Sequence, residues 1–413
     1  MLKKLNIWLF AILFLALSQA NANPTFSKKY GLSCATCHSM LPTLNSTGLK
    51  FMRDGFRFDK DETTTLDGFL NAKSWKERTQ YLPVTALVGF NINSKARSDV
   101  DKLILYSGGT LTDTLSFYAL TRSNYNTKHN HKLFDEPASR AFLQYNPVGS
   151  EHVFKLGWMD PLMGISNLNN RTLMDSGLIK AGLMKRAPKS AIKPSWAKQK
   201  PKPPKPGPDA SPQQKKKYAM MVMPKQPYKT SVPYAGFGLL KGAEYSYQYD
   251  NKALFLVNYG IPTAESFAND DEDSQFTMAV ELQNIDGFNF AAVYLHKELG
   301  NIDIDSYIFP IEKYFMNEQL LLRTNFVYKD STQYDEPFYG SQSSMTYCID
   351  EDSQIRMIYD VNRDEAKEKN TGLSFTYGKQ WNDKVIMHVT AARHKGPVFN
   401  ESVAKFSLYM FLY

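Results

Sequence analysis

From about residue 81 onward, apolar and polar positions alternate with a period of two. In QIRMIYDVN, Ile355, Met357, Tyr359 and Val361 share one face, while Arg356 and Asp360 share the other. In QLLLRTNFVYK, Leu320, Leu322, Phe326 and Tyr328 oppose Arg323 and Asn325. In QFTMAVELQ, Phe276, Met278, Val280 and Leu282 oppose Thr277 and Glu281. In KVIMHVTAA, Val385, Met387 and Val389 oppose His388 and Thr390. Successive side chains of a strand point to opposite faces, so each run predicts a strand with one apolar and one polar side. Runs of 9–12 residues are long enough to cross a bilayer as tilted strands, apolar side to lipid and polar side to a lumen.

Sixteen such segments are predicted, at 81–92, 101–109, 112–122, 138–147, 151–159, 236–249, 252–261, 274–285, 286–297, 301–309, 318–329, 341–350, 353–362, 370–380, 384–394 and 401–413. Two further strands, in 177–185 and 218–223, would raise the count to 18. Even numbers suit bacterial barrels. If the chain starts in the periplasm, the short links YDNK, NIDG and QWNDK fall on the periplasmic side. The longer links 123–137, 160–235 and 262–273 then fall outside. Short periplasmic turns with long external loops are the barrel rule. The last residues, FSLYMFLY, carry Tyr409, Phe411 and Tyr413 at alternate positions. They resemble the terminal strand of outer-membrane proteins. The expected fold is an all-β, antiparallel transmembrane barrel of about 16 strands over residues 81–413.

Composition supports this reading. The chain has 413 residues, with 26 Phe and 24 Tyr, yet its mean hydropathy is −0.41. No run after the N-terminus approaches the ~20 apolar residues of a membrane helix. The opening MLKKLNIWLFAILFLALSQANA has Lys3 and Lys4, then an apolar stretch, then small residues around Ala20 and Ala22. That pattern predicts an export signal over residues 1–22. Nothing points to a nucleic-acid partner. A soluble periplasmic β-domain is the rival fold, and recovery without detergent would select it.

Between the signal and the strands lies CATCH, residues 34–38. The thiols of Cys34 and Cys37 suit thioether links to the two vinyl groups of a c-type haem, and His38 suits its proximal ligand. Export agrees, because covalent haem attachment takes place beyond the inner membrane. A redox CxxC or half of a zinc site is the competing reading, but a second CxxC or a His pair at zinc spacing is missing. Met52 is the candidate distal ligand, with packing on the porphyrin edge as its bland alternative. His129, His131 and His152 stand further off, and a water-bound sixth position is a further option. Cys348 is read as a small buried or lumen-facing filler.

Two segments break the pattern. Residues 185–233 are rich in Lys and Pro with Asp209 the one acid, a composition of extended, self-repelling chain. Parity assigns them to an external loop, solvated or docking on an anionic surface. In ANDDEDSQ, Asp270, Asp271, Glu272 and Asp273 offer hard oxygen ligands for an external cation, or simply a solvated loop tip.

The stretch from Pro24 to Phe58 resembles the fused outer-membrane cytochrome–porin family, which includes iron oxidases of Fe(II)-oxidising bacteria. The matching positions are Phe26, Lys28, Lys29, Gly31, the CxxCH itself, Pro42, Leu44, Gly48, Phe51 and Gly55. The resemblance implies that residues 23–80 form a small monohaem cytochrome plug in or at the mouth of the barrel. It implies an electron conduit that oxidises an extracellular donor, Fe²⁺ first, and passes the electron to a soluble periplasmic c-type cytochrome. On that reading the chain is an Fe(II)-oxidising cytochrome held in outer-membrane lipid. Two alternatives stay open: a porin whose haem plug gates or senses, and a terminal reductase that runs electrons outward.

Overall fold

The computed structural model describes residues 25–412 apart from 33–35, 41–42, 60–61, 82–83, 94–97, 124–139, 148–149, 163–164, 166–238, 251, 264–272, 300–301, 317–318, 333–335, 351, 364–368, 383–384 and 396–400. The N-terminal part runs α1 (Thr25–Tyr30), β1 (His38–Met40), β2 (Thr43–Leu44), α2 (Ser46–Arg53), α3 (Thr65–Asn71) and α4 (Trp75–Gln80). Then follow β3 (Val84–Asn93), β4 (Ser98–Thr110), β5 (Leu115–Ser123), β6 (Arg140–Tyr145), β7 (His152–Met159), β8 (Leu239–Tyr249), β9 (Ala253–Thr263) and β10 (Ser274–Ile285). The last eight are β11 (Phe288–Leu299), β12 (Ile302–Phe315), β13 (Leu320–Ser331), β14 (Phe338–Cys348), β15 (Ser353–Arg363), β16 (Lys369–Asn382), β17 (Val385–Lys395) and β18 (Glu401–Leu412).

Strands β3 to β18 form one closed barrel in which each pairs antiparallel with its neighbours in sequence. β18 closes on β3 from Lys405↔Asn93 to Leu412↔Ala86. Closure leaves no strand edge to template aggregation. Each of the sixteen segments is a strand here, most ends shifted by a few residues and β12 running on from 309 to Phe315. The closed barrel has sixteen strands among the described residues. β7 pairs directly with β8, from His152↔Tyr247 to Met159↔Leu240, and the further candidates 177–185 and 218–223 lie outside the described residues.

The wall is apolar outside and polar inside. In β15, Ile355 and Tyr359 are 41% and 46% exposed, whereas Arg356 and Asp360 are 3% and 2% exposed. The same inversion holds in β13, where Leu322 and Phe326 are exposed and Arg323 and Asn325 are buried. A water-soluble sheet would hide the first set and expose the second; a bilayer reverses the preference. Aromatic rings band the outer surface. Near the long-link ends, Tyr294, Tyr307, Tyr328 and Tyr339 follow one another at centroid spacings of 5.3, 5.9 and 5.3 Å. Near the short-turn ends of β6 to β9 stand Tyr145, Phe154, Tyr245, Tyr247 and Phe255. Amphipathic rings collect at the level of lipid headgroups.

The short turns have the residues such turns require. In NIDG, Asp286 and Gly287 hold φ of 52° and 77°, the left-handed pair of a tight hairpin for which Asp-Gly is favoured. Charged inward residues pair across neighbouring strands: Lys155–Glu244 at 2.6 Å and Arg323–Glu312 at 2.6 Å.

The link 160–235, expected wholly outside, begins inside the barrel. Leu162 and Ile165 are fully buried against Leu254, Leu256, Ala279, Val293, Leu295, Ile308, Val327 and Phe338. These inward apolar residues on β9 to β14 would otherwise face the lumen. Asn258 Nδ2 donates to the Pro161 carbonyl at 2.8 Å, and Arg140 pairs with Asp160 at 3.1 Å. Residues 1–22 and 185–233 lie outside the described residues.

Candidate functional site

The cysteine–histidine segment is built onto the start of α2. Asn45 caps that helix, its side chain accepting from Gly48 N at 2.9 Å. The same residue grips the motif: Asn45 N donates to the Cys37 carbonyl at 3.0 Å, and Asn45 Nδ2 to the Thr36 carbonyl at 3.1 Å. β1 folds back on β2 with His38 opposite Leu44. The close fit explains Gly48. A Cβ there would collide with the Cys37 carbonyl and with Leu44 Cδ2. Gly31 and Gly55 have φ of 66° and 76°, a region other residues enter at a cost.

Behind the motif lies an aromatic and aliphatic cluster. Leu49, Phe51, Met52 and Phe56 are buried together with Phe142 of β6, Met159 of β7 and Leu240 of β8, and Phe26, Tyr30, Leu44 and Tyr118 pack on them. Phe26 stacks on Phe56 at 5.1 Å, and Phe56 on Tyr118 of β5 at 5.6 Å. Tyr30 ties α1 to the following chain, donating to Glu62 at 2.6 Å beside a Lys29–Glu62 ion pair of 3.6 Å. Burial, then Glu62, push the Tyr30 phenol well above its usual range. Burial also holds the Lys29 ammonium below its usual value, with Glu62 pulling the other way.

The N-terminal segment lies against the inner wall. Arg53 Nη2 meets Glu281 of β10 at 2.7 Å, with the two side chains 10% and 1% exposed. The Arg53 carbonyl accepts from Gln144 Nε2 and Asn146 Nδ2, each at 2.9 Å. Arg323 Nη2 reaches the Leu44 carbonyl at 3.4 Å. Thr65 N donates to Thr110 Oγ1 at 2.8 Å, and Arg57 donates to the Asp113 carbonyl. Thr110, Asp113, Asn146, Glu281 and Arg323 all stand at or near the short-turn ends of their strands. The segment therefore occupies the short-turn mouth, the periplasmic one by the barrel rule.

Of the residues singled out from sequence, Cys37 and His38 are half-buried here, and Cys34 lies outside the described residues. Burial raises the Cys37 thiol to about 11. Met52 is 3% exposed within the cluster, its carbonyl accepting from Gln144 at 3.3 Å. His152 faces outward at the short-turn end of β7, its ring tilted against Tyr247 at 4.9 Å and hydrogen-bonded to Tyr245 Oη at 2.8 Å. That position is on the wrong side of the wall for a ligand in the lumen. His129 and His131 lie outside the described residues. So do Asp270, Asp271 and Glu272, while Asp273 is buried just before β10.

Sequence reasoning missed Asn45, Arg53, Gln144 and Asn146, which position the motif. Only Asn45 left a local signal, a capping residue just ahead of a short amphipathic stretch.

No family model and no curated protein matches the chain. Solved structures do. The anion-selective porin of Comamonas acidovorans aligns with TM-score 0.50 at 9% identity, over 79% of this chain and 98% of that one. OmpF of Salmonella typhi, solved with daunomycin, aligns with TM-score 0.50 at 8% identity, over 80% and 96%. OmpT of Vibrio cholerae, with loop L8 deleted, gives 0.47 at 9% identity, over 80% and 98%. At such identities the likeness concerns fold alone, and together with the inverted wall it establishes that this chain has the closed sixteen-strand barrel of an outer-membrane porin.

Proposed function

We propose that the chain is an outer-membrane electron-transfer protein with one c-type haem, carried on residues 23–80 at the periplasmic mouth. The residues present fit such a group. Cys34 and Cys37 would tether it, and His38 would ligate its iron. Leu49, Phe51, Met52 and Phe56 would keep water from it. When bound, the haem supplies one-electron redox chemistry. The donor is extracellular, with Fe²⁺ as the first candidate, and the acceptor is a soluble periplasmic c-type cytochrome. Met52 remains the distal-ligand candidate from its place in the same apolar cluster. Asp273, with its three acidic neighbours, remains a candidate external cation contact.

The carrying observation is the attachment of the motif. Asn45 holds Thr36 and Cys37 on α2, and α2 is pinned to the wall through Arg53 and Glu281. A covalent redox group set rigidly in a barrel mouth suits electron transfer. On the periplasmic side Leu70 and Trp75 are exposed beside Lys73 and Lys76. Exposed apolar side chains with lysines close in the chain suit transient docking of an acidic-rimmed carrier.

The porin-type wall supports a second reading, a channel gated by its haem plug. One purified, detergent-solubilised sample separates the two. Covalent haem with a low-spin spectrum that Fe²⁺ reduces supports the conduit. A haem that Fe²⁺ does not reduce at any pH, in liposomes whose solute flux follows haem redox state, supports the gate. Protein matured by a cytochrome c assembly system yet lacking covalent haem would overturn both.

A further inference from the structure

The β11–β12 hairpin ends in a two-residue link on the external side. At its tip His296, Glu298 and Asp303 place one ligand atom each within 4.8 Å of one another. All three side chains are on the outer face, just beyond the ring that includes Tyr294 and Tyr307.

The orientation of the imidazole is the informative feature. His296 Nδ1 is 2.9 Å from Asp305 Oδ1, and Tyr294 Oη fixes the same oxygen at 2.7 Å. With its Nδ1–H given to Asp305, the ring turns Nε2 toward Glu298 Oε1 at 3.6 Å. Glu298 is steadied through its other oxygen, which accepts from Ser274 Oγ at 2.8 Å. A carboxylate behind the histidine and a lone pair in front is the usual arrangement around a histidine-bound metal. The 3.6 Å gap is long for a hydrogen bond. It is close to the separation of two ligand atoms sharing one ion, about 3.0–3.4 Å for bonds near 2.1 Å. Among the described residues no lysine or arginine pairs with Glu298, Asp303 or Asp305, so three carboxylates converge with only a histidine to offset them.

We propose that His296, Glu298 and Asp303 bind a first-row divalent metal ion at the external rim, with Asp305 orienting His296. One nitrogen and two carboxylate oxygens favour Zn²⁺, Mn²⁺ or Fe²⁺ over the all-oxygen preference of Ca²⁺ and Mg²⁺. The ion's remaining positions are open to water. The site is remote from Cys37 and His38, and it does not rest on the haem reading.

The test is calorimetric titration of the full-length protein in detergent with Zn²⁺, in buffers with and without excess Ca²⁺. Heat-modifiable mobility on gels checks that each variant keeps its barrel. The wild-type chain is expected to show an equivalent that His296→Ala and Asp303→Asn lose. Asp305→Asn is expected to weaken it about 10–100-fold, as loss of an outer carboxylate does. Excess Ca²⁺ should leave it in place. Unchanged stoichiometry and affinity in His296→Ala, or displacement by Ca²⁺, would overturn the assignment. The haem spectrum is not expected to move in any of these variants, so failure here leaves the conduit reading to its own test.

Discussion

The buried pairing of Arg53 with Glu281 ties the CATCH-bearing segment to the barrel, and breaking it has a calculable consequence. The 2.7 Å contact joins side chains that are 10% and 1% exposed. Removing one partner of such a pair strands a desolvated charge and costs about 3–5 kcal/mol. Replacing both by apolar side chains of similar volume removes the stranded charge, and the net cost is then small. Gln283 also donates to Glu281 at 2.9 Å, so the double change also loses that hydrogen bond, about 1 kcal/mol. The expectation is therefore strongly non-additive. Arg53→Met and Glu281→Leu each loosen the segment by about 3–5 kcal/mol, and the double variant by about 1–2 kcal/mol. Hydrogen exchange read by mass spectrometry on peptides spanning 46–58 measures this directly. A loss of that size speeds local opening by about 10²–10³-fold or more, at 1.4 kcal/mol per factor of ten. Strands β13 to β16 serve as the internal control. If the two single effects simply added, or if exchange in 46–58 were unchanged in Arg53→Met, the pair would not be what holds the segment in the mouth.

Three further outcomes follow from the geometry. Gly48→Ala, which would stabilise an open helix by about 1 kcal/mol, should here destabilise α2 by about 1–3 kcal/mol through its collision with the Cys37 carbonyl; proteolysis of the 36–48 region no faster than in the wild type would refute it. Phe326→Arg, mid-strand on the lipid face, should cost about 2–4 kcal/mol in denaturant unfolding from bilayers, although Arg323 is native three residues earlier on the inward face; equal stability would contradict the facing. Ile165→Asp puts a carboxylate into a fully buried apolar patch at a cost of several kcal/mol, so Leu162 and residue 165 should leave the lumen and single-channel conductance should rise; unchanged conductance would show that they do not obstruct.

The barrel was legible because its signals are local. Each strand alternates over about ten residues, each pairs with its neighbour in sequence, and Asp286–Gly287 punctuates as a tight hairpin should. β10 matched its expected span, 274–285. β12 did not, because Pro310 reads as a terminator. The structure shows why it is tolerated. The ladder to β11 is interrupted between Phe290↔Ile311 and Val293↔Ile308, while the ladder to β13 runs through Pro310↔Asn325. The missing N–H is thus lost on one side only. What sequence could not reveal is long-range. Arg53 and Glu281 are 228 positions apart, and nothing around either residue names the other. The inward turn of Asp160, Leu162 and Ile165 has no periodicity to betray it. The outer metal-ligand set escaped for another reason. His296, Glu298 and Asp303 belong to two strands and converge only once the β11–β12 register places Glu298 opposite Asp303.

The contents of the lumen bear on which reading of function is the better one. A solute channel needs inward polar residues that meet water. Here Gln275, Thr277, Lys297, Asn325, Lys329, Arg356 and Asp360 all face inward and are all nearly inaccessible. Among the described residues the interior is entered from both ends, by α1 and α2 at the short-turn mouth and by Leu162 and Ile165 from the other side. Depth matters as well. Glu281 and Arg323 stand about four residues from the short-turn ends of β10 and β13. At about 3.3 Å per residue and a tilt near 40°, that is about 10 Å into a band of about 25 Å. The motif segment thus begins in the periplasmic mouth and reaches toward the middle of the membrane without crossing it. Inward polar residues shielded from water are a poor path for hydrated solutes but no barrier to an electron exchanged with a fixed centre, which favours the proposed conduit over the gated channel.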